Sequence, residues 1–130
     1  MYKIKINSNF SAAHFLRGYE GKCENLHGHN WKVEVLVSSK ILNNCGMVMD
    51  FSELKKITFC ILEDLDHKHL NDLPYFTDTN PSSENIACYI FNKLKEKLES
   101  KDCKLEEVNV WETDTSCASY GIPNGQACDT

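Results

Sequence analysis

The sequence has no excess of positive charge and no long apolar run. Its formal net charge is -5 at pH 7, with 14 lysine and arginine residues against 19 aspartate and glutamate residues. General nucleic-acid binders and proteins that adhere to membrane surfaces need a basic face, so this balance argues against both classes. No apolar stretch approaches the roughly 18–20 residues that a membrane-spanning helix needs. We therefore expect no nucleic acid and no membrane among the partners.

We expect neither a secretion signal nor a disulfide framework. The opening stretch MYKIKINSNF alternates apolar and polar residues and has no continuous apolar core, which favours a cytoplasmic protein. The seven cysteines are odd in number and show no paired spacing, so we expect most of them to be small buried hydrophobic residues. Without repeats or linkers, the chain is expected to form one domain over residues 1–123, followed by a frayed tail at 124–130.

Hydrophobic periodicity predicts the order strand, strand, helix, helix, strand, strand. Residues 1–14 and 27–39 alternate as half-buried strands, KILNNCG is typical of a turn, and GMVMD is predicted to be the end of a returning strand. KLEEVNVWETD and CASYGI supply the last two strands. The expected fold class is therefore α+β, an antiparallel four-stranded sheet with two helices on one face.

The two helices carry start signals. Asp50, with Glu53 three residues later, predicts a capping box at the first helix, and Ser82 or Ser83 caps the second. Between the helices, residues 66–81 are predicted to form a long polar connection without regular structure. Such long loops in compact domains are often functional.

The stretch CENLHGH brings two imidazoles together. His27 and His29 are two positions apart on a strand, so both project to the face that carries Trp31. His14 ends the first strand and would lie near them if the two strands pair as a hairpin. Zinc binds neutral imidazole nitrogens, and three histidines with a fourth position open indicate a catalytic zinc. The alternative is histidines that simply hydrogen-bond to the backbone.

Cys23 and the LDHKHLN segment supply candidate acid–base groups. A thiol near a cation has a lowered pKa and can act as base or nucleophile. As a fourth metal ligand, Cys23 would instead make the site structural, and both interpretations remain open. Asp66 and His67 could set the state of that thiol. The alternative is a polar helix terminus, where a histidine interacts with the helix dipole.

Glu112 is predicted to lie on the apolar side of its strand, with Val108 and Val110. A carboxylate that faces a core must be paired. A ligand with adjacent N–H donors, such as a guanidine-like ring edge, would pair with it bidentately. The alternatives are an ion pair with a lysine, or a strand end at which Glu112 is already in water.

Six ordered segments, FSAAH, CENLHGH, GMVMDFSELK, LDHKHLND, NPSSENIA and VWETD, resemble the 6-pyruvoyltetrahydropterin synthase family over nearly the whole chain. Within it they look most like the 6-carboxytetrahydropterin synthases of queuosine biosynthesis. The resemblance implies a Zn2+ site, an acid–base group and a pterin anchor. The zinc ligands would be His14, His27 and His29; the catalytic residues would be Cys23, Asp66 and His67; the anchor would be Glu112.

The resemblance further implies the tunnelling fold, in which subunits join their sheets into a barrel. The protein would be a homo-oligomer, a hexamer built as two trimers. Its substrate would be 7,8-dihydroneopterin triphosphate, and its products 6-carboxy-5,6,7,8-tetrahydropterin, acetaldehyde and triphosphate. The alternatives are a 6-pyruvoyltetrahydropterin synthase, which keeps the carbon chain whole, and a non-catalytic zinc- or pterin-binding module. A further branch of the family replaces the cysteine with glutamate, and Glu24 stands beside Cys23.

Overall fold

The computed structural model describes residues 1–19, 21 and 24–123 of the 130-residue chain. Cys23 and the predicted frayed tail at 124–130 lie outside the described residues. The described part forms a sheet of five strands in the order β3-β1-β2-β4-β5, with two α-helices. The strands are β1 (Tyr2–His14), β2 (His27–Ser39), β3 (Lys68–His69), β4 (Lys104–Thr113) and β5 (Ser116–Gly121), and the helices are α1 (Phe51–Leu62) and α2 (Ser83–Leu98).

The first two strands form an antiparallel hairpin in continuous register, from Tyr2 opposite Ser39 to His14 opposite His27. Alternation places one face of this hairpin in the core. Phe10 and Trp31 are both buried there and stack, with ring centroids 5.1 Å apart. The predicted α+β class with these two strands is therefore confirmed.

Both helices begin at the predicted positions. Oδ1 of Asp50 accepts the N–H of Ser52 at α1, and Oγ of Ser82 accepts the N–H of Asn85 at α2. The capping box is not completed, because the Glu53 carboxylate pairs with Lys101 at 2.7 Å instead. Helix α1 packs on β1, and α2 packs on β4 and β5. No helix in the described ranges is long and apolar enough to cross a membrane.

The connection between the helices is more ordered than its sequence indicated. It contains the short strand β3, parallel to β1, and two 3-10 turns, Leu70–Asp72 and Pro74–Phe76. The backbone N–H of His67 donates to the Ser11 carbonyl at 2.5 Å, which brings the chain alongside β1. The prediction of four strands and an irregular connection was thus wrong here, because tertiary hydrogen bonds, invisible to periodicity, order this segment.

Two local predictions were also wrong. GMVMD forms no strand: the Asn43 side chain accepts the N–H groups of Cys45 and Met47, so the segment closes into a loop. The described cysteines are not mostly buried, because they lie on loops, outer helix faces and the edge strand. All five are free; Cys45, Cys60 and Cys117 are exposed, and Cys88 and Cys103 are half-buried.

Candidate metal centre and active site

Three imidazoles converge at one end of the hairpin. The register sets His14 opposite His27 and Ala12 opposite His29, so the three rings share the core-facing side. Their centroids are 4.7 Å (His14–His27), 5.3 Å (His14–His29) and 4.8 Å (His27–His29) apart. His14 is almost fully buried, at 2% exposure, whereas the other two are half-buried. The strand alternation thus delivers the cluster that the H-x-H spacing predicted.

The tautomers of His14 and His27 are set by backbone carbonyls. Nδ1 of His14 lies 2.7 Å from the Pro81 carbonyl, and Nδ1 of His27 lies 2.8 Å from the Asn25 carbonyl. A carbonyl only accepts, so each Nδ1 carries the proton. Both Nε2 atoms therefore present lone pairs, and these two atoms lie 3.1 Å apart. Two acceptors at this distance repel each other unless a proton or a cation lies between them.

His29 adds a third ring nitrogen to the cluster. Its Nε2 is buried and has no hydrogen bond, although it lies only 2.8 Å from Oε1 of Glu112. The pair is close without the angles of a hydrogen bond. Burial lowers the pKa of His29, and the charge on Glu112 opposes this shift only in part. Burial thus favours the neutral form of the ring, which is the form that binds metals.

The four side chains fit a divalent metal ion. The ligand atoms of His14, His27, His29 and Glu112 all lie within 4.8 Å of one another. Two nitrogens bound to one tetrahedral zinc are roughly 3.3 Å apart, given Zn–N bonds of about 2.0–2.1 Å. The 3.1 Å between the facing nitrogens of His14 and His27 is close to this value. The cluster could therefore hold a metal ion in the manner of a zinc site.

Glu112 lies on the face predicted for it, at the end of β4. Its side chain is 31% exposed, and Oε1 also lies 3.4 Å from Nε2 of His14. The structure therefore places the carboxylate among the imidazoles, and no lysine in the described part of the chain forms an ion pair with it. From this position it can serve as a fourth ligand or as an acceptor for a ligand that enters the site.

Asp66 and His67 lie at the sheet edge, beyond β1. Oδ1 of Asp66 accepts the N–H of Ser11 at 2.9 Å, and Oδ2 lies 2.9 Å from Nδ1 of His67. The Ser11 N–H, and after it the His67 ring, lower the pKa of Asp66. His67 has a positive φ of 58°, and its side chain is 82% exposed. Among the described residues, this pair is not in the group of ligand atoms that lie within 4.8 Å of one another, so it is not part of the imidazole cluster.

The loop before β2 is described only in part, and Cys23 falls outside it. Its neighbour Glu24 is described: Oε1 lies 4.0 Å from Nδ1 of His27 and is buried without a hydrogen bond. The loop thus carries an acidic group against the cluster. The predicted role of Cys23 stays a prediction.

Sequence reasoning missed the part that residues 71–81 play at the site. This segment lies against the residues that follow His14, and Pro81 supplies the carbonyl that accepts the proton of His14. The segments LDHKHLND and NPSSENIA contain the asparagines that make these contacts. Only their place in the resemblance marked them out, because an asparagine in a loop has many uses.

One cavity between the helices does not include the cluster. It measures about 800 Å³ and lies between α1, α2 and the 3-10 turns, with Tyr75, Phe76 and Tyr89 in its wall. His29 borders a separate depression of about 270 Å³, which Ser11 and Asn30 also line.

Comparison with known proteins decides the family. A model of the family described as 6-pyruvoyl tetrahydropterin synthase matches residues 3–123. The chain belongs to this family. The 6-carboxy-5,6,7,8-tetrahydropterin synthase of Synechocystis is 42% identical over 95% of this chain and 95% of its own length. The human 6-pyruvoyl tetrahydrobiopterin synthase is 41% identical over 91% of this chain and 90% of its own length. The resemblance drawn from six segments is confirmed, and with it the prediction of an enzyme of the tetrahydropterin synthase type, which is a lyase.

Solved structures support the same fold. The 6-pyruvoyl tetrahydropterin synthase of Caenorhabditis elegans is 32% identical, with a TM-score of 0.82 over 94% of this chain and 96% of the worm chain. The tunnelling fold predicted from the resemblance is therefore confirmed for the subunit, with one more strand than expected.

Proposed function

We propose that the protein is a zinc-dependent 6-carboxytetrahydropterin synthase of queuosine biosynthesis that acts in the cytoplasm. In this proposal it converts 7,8-dihydroneopterin triphosphate to 6-carboxy-5,6,7,8-tetrahydropterin, acetaldehyde and triphosphate. The observation that carries the proposal is the pair of lone-pair-bearing nitrogens on His14 and His27, 3.1 Å apart. A fold that keeps two acceptors face to face, one of them buried, is expected to use them for a cation.

The three histidines would hold the zinc ion, which, when bound, acts as a Lewis acid toward side-chain oxygens of the substrate. The chain contributes by aiming the rings at one point. The Pro81 and Asn25 carbonyls hold the Nδ1–H groups of two of the rings, and burial lowers the pKa of His29.

Proton transfer is assigned to Cys23 and His67. Asp66 fixes the His67 ring through Nδ1 and is itself held by Ser11. Nε2 of His67 then faces outward and can exchange a proton with a substrate. In the proposal, the Cys23 thiolate and His67 move the protons that accompany loss of triphosphate and cleavage of the side chain.

Asp66 and His67 of one chain would act at the cluster of another. Among the described residues, the outer edge of β1 pairs with a strand at Ala12 and Ala13 alone, so most of this edge is open for a second copy. We take the assembly to be a hexamer of two trimers. Two inactive variants, His14→Ala and His67→Ala, should regain part of the activity when they are refolded together. Full inactivity of the mixed oligomer would contradict a shared site.

The two possible roles of Glu112 can be separated by Glu112→Gln, which keeps the shape and removes the charge. As the pterin anchor, Glu112 pairs with the 2-amino and N3 groups of the substrate. The variant should then keep its zinc and lose turnover or substrate affinity. A large loss of zinc would assign Glu112 to the metal instead.

The reaction products test the proposal directly. Incubation with 7,8-dihydroneopterin triphosphate should release acetaldehyde and give a carboxypterin by mass spectrometry. The second candidate is the pyruvoyl reaction, since the human relative of that name is as similar as the Synechocystis one. A pyruvoyl product without acetaldehyde would establish that candidate. No turnover of either kind, with intact zinc binding, would favour the non-catalytic module.

A Cys23→Ala variant distinguishes catalysis from metal binding at this thiol. A catalytic thiol predicts retained zinc and lost turnover. A structural fourth ligand predicts lost zinc, and with it lost stability. Full activity of the variant would remove Cys23 from the mechanism altogether.

A further inference from the structure

Two asparagine side chains pair with the backbone immediately after His14. Asn71 accepts the N–H of Phe15 at 3.0 Å and donates to its carbonyl at 2.9 Å. Asn80 does the same for Arg17, with both distances 2.9 Å. Each amide thus satisfies both polar backbone groups of one residue, as a neighbouring strand would. The segment that follows β1 is therefore held at Phe15 and at Arg17, with one residue between them.

The hydrogen bond that sets the His14 tautomer lies beside these two pairs. Nδ1 of His14 lies 2.7 Å from the carbonyl of Pro81, the residue after Asn80. The Asn80 carbonyl accepts from the Asn85 side chain at 2.9 Å, and Ser82 caps α2. The Pro81 carbonyl therefore sits between two anchored residues, and the proline ring restricts its φ.

The guanidinium of Arg17 adds a further tie to the same connection. It donates to the Phe76 carbonyl at 2.7 Å and to the Asn71 carbonyl at 3.4 Å. These hydrogen bonds therefore join the backbone after His14 to the segment 71–81 at several points. Any displacement of Pro81 relative to His14 must break several of these hydrogen bonds.

We propose that Asn80, together with Asn71, is a positioning residue for His14, and this inference rests on the metal centre proposed above. The amides hold the Pro81 carbonyl against Nδ1, which keeps the proton there and leaves the Nε2 lone pair for the metal. Partners of this kind, one step removed from the metal, set both the tautomer and the orientation of a ligating histidine.

The alternative is that the two amides only stabilise the fold. Metal affinity separates the two roles, because a purely structural amide leaves the zinc affinity of the folded protein unchanged. Asn80→Ala is compared with Asn92→Ala, a matched change at an exposed position on α2. Zinc affinity is measured by competition with a chromophoric chelator, and the visible absorption of the cobalt-loaded protein reports ligand geometry.

We expect Asn80→Ala to bind zinc about 10–100-fold more weakly than the unmodified protein, the range typical of such partners. Its cobalt spectrum should change, while Asn92→Ala should match the unmodified protein in both measurements. A folded Asn80→Ala with unchanged affinity and spectrum overturns the inference. If the unmodified protein itself binds no zinc, the proposed metal centre fails instead.

Asn71→Ala provides an independent measurement should Asn80→Ala not fold. The same loss of zinc affinity is expected, because the Asn71 amide holds the residue next to His14. If neither variant folds, the amides serve the fold and not the ligand, and the inference is overturned.

Discussion

The backbone at His67 allows strain and chemistry to be tested at one position. With φ at 58°, the residue lies in the left-handed region, which costs an L-residue about 1–2 kcal/mol. Glycine does not pay this cost. Its unfolded chain has more conformational entropy than that of alanine, however, which lowers the free energy of unfolding by about 0.4–1 kcal/mol. His67→Gly and His67→Ala lose the same imidazole, so their difference isolates the backbone. We expect the glycine variant to be more stable than the alanine variant by about 0.5–1 kcal/mol.

Denaturant unfolding of metal-free protein at one fixed concentration measures this difference, because bound metal and association both add to apparent stability. The lost contact with Asp66 contributes little, since the His67 side chain is 82% exposed and solvent screens it. The control is Glu63, which ends α1 at an ordinary φ of -58°. There the order should reverse, with alanine more stable than glycine.

An alanine variant of His67 as stable as the glycine variant would refute the assignment of backbone strain. Activity gives the second readout. Both variants should lack turnover if His67 transfers protons. We therefore expect them to differ in stability and to be equally inactive. Wild-type turnover in either variant would remove His67 from the chemistry.

Three other measurements test the site. Replacing His27 by alanine should weaken zinc binding by more than the roughly 10–100-fold expected for a partner one step removed, and an unchanged affinity in chelator competition would contradict the ligand set. Zinc should alter the fluorescence of Trp31, whose ring lies 5.1 Å from that of His29, and leave that of Trp111 unaffected. The variant Trp111→Phe, which retains Trp31, should therefore respond to zinc, and the variant Trp31→Phe should not. Because the pKa of Asp66 is lowered from 3.8 by the Ser11 N–H, its contribution to stability is present above that value and is lost as the pH falls through the folded pKa. Asp66→Asn should therefore flatten the acid limb of the stability–pH curve below about pH 4, and an identical limb would count against the contact.

The imidazole cluster was predictable from sequence because the alternation of side chains along a strand is a strong local rule. His27 and His29 share parity with Trp31, and a buried Trp31 fixes which face they take. His14 required one further assumption, the hairpin pairing, which its position at the end of β1 supported. Periodicity alone therefore gives the face on which these strand residues lie, and the strand pairing brings them together.

The remaining parts of the site depend on contacts between distant segments. Ser11 and Asp66 are 55 residues apart, and His14 and Pro81 are 67 apart. Periodicity carries no signal for such hydrogen bonds, so residues 66–81 were predicted as an irregular loop. The same holds for Glu112, whose parity was predictable while its approach to His29 was not.

The register of the β1–β2 hairpin is what holds the imidazole cluster together. A slip of one residue between paired strands turns every side chain of one strand to the opposite face, so His14 would leave the other two rings. Phe10 stacks on Trp31, and both rings are buried. A slip would expose one of these rings to water, so the stacked pair opposes it. The same Trp31 ring lies edge-on to His14 at 4.9 Å and to His29 at 5.1 Å. The core therefore fixes the ligand geometry directly, and substitutions that loosen this aromatic pair should weaken metal binding before they unfold the chain.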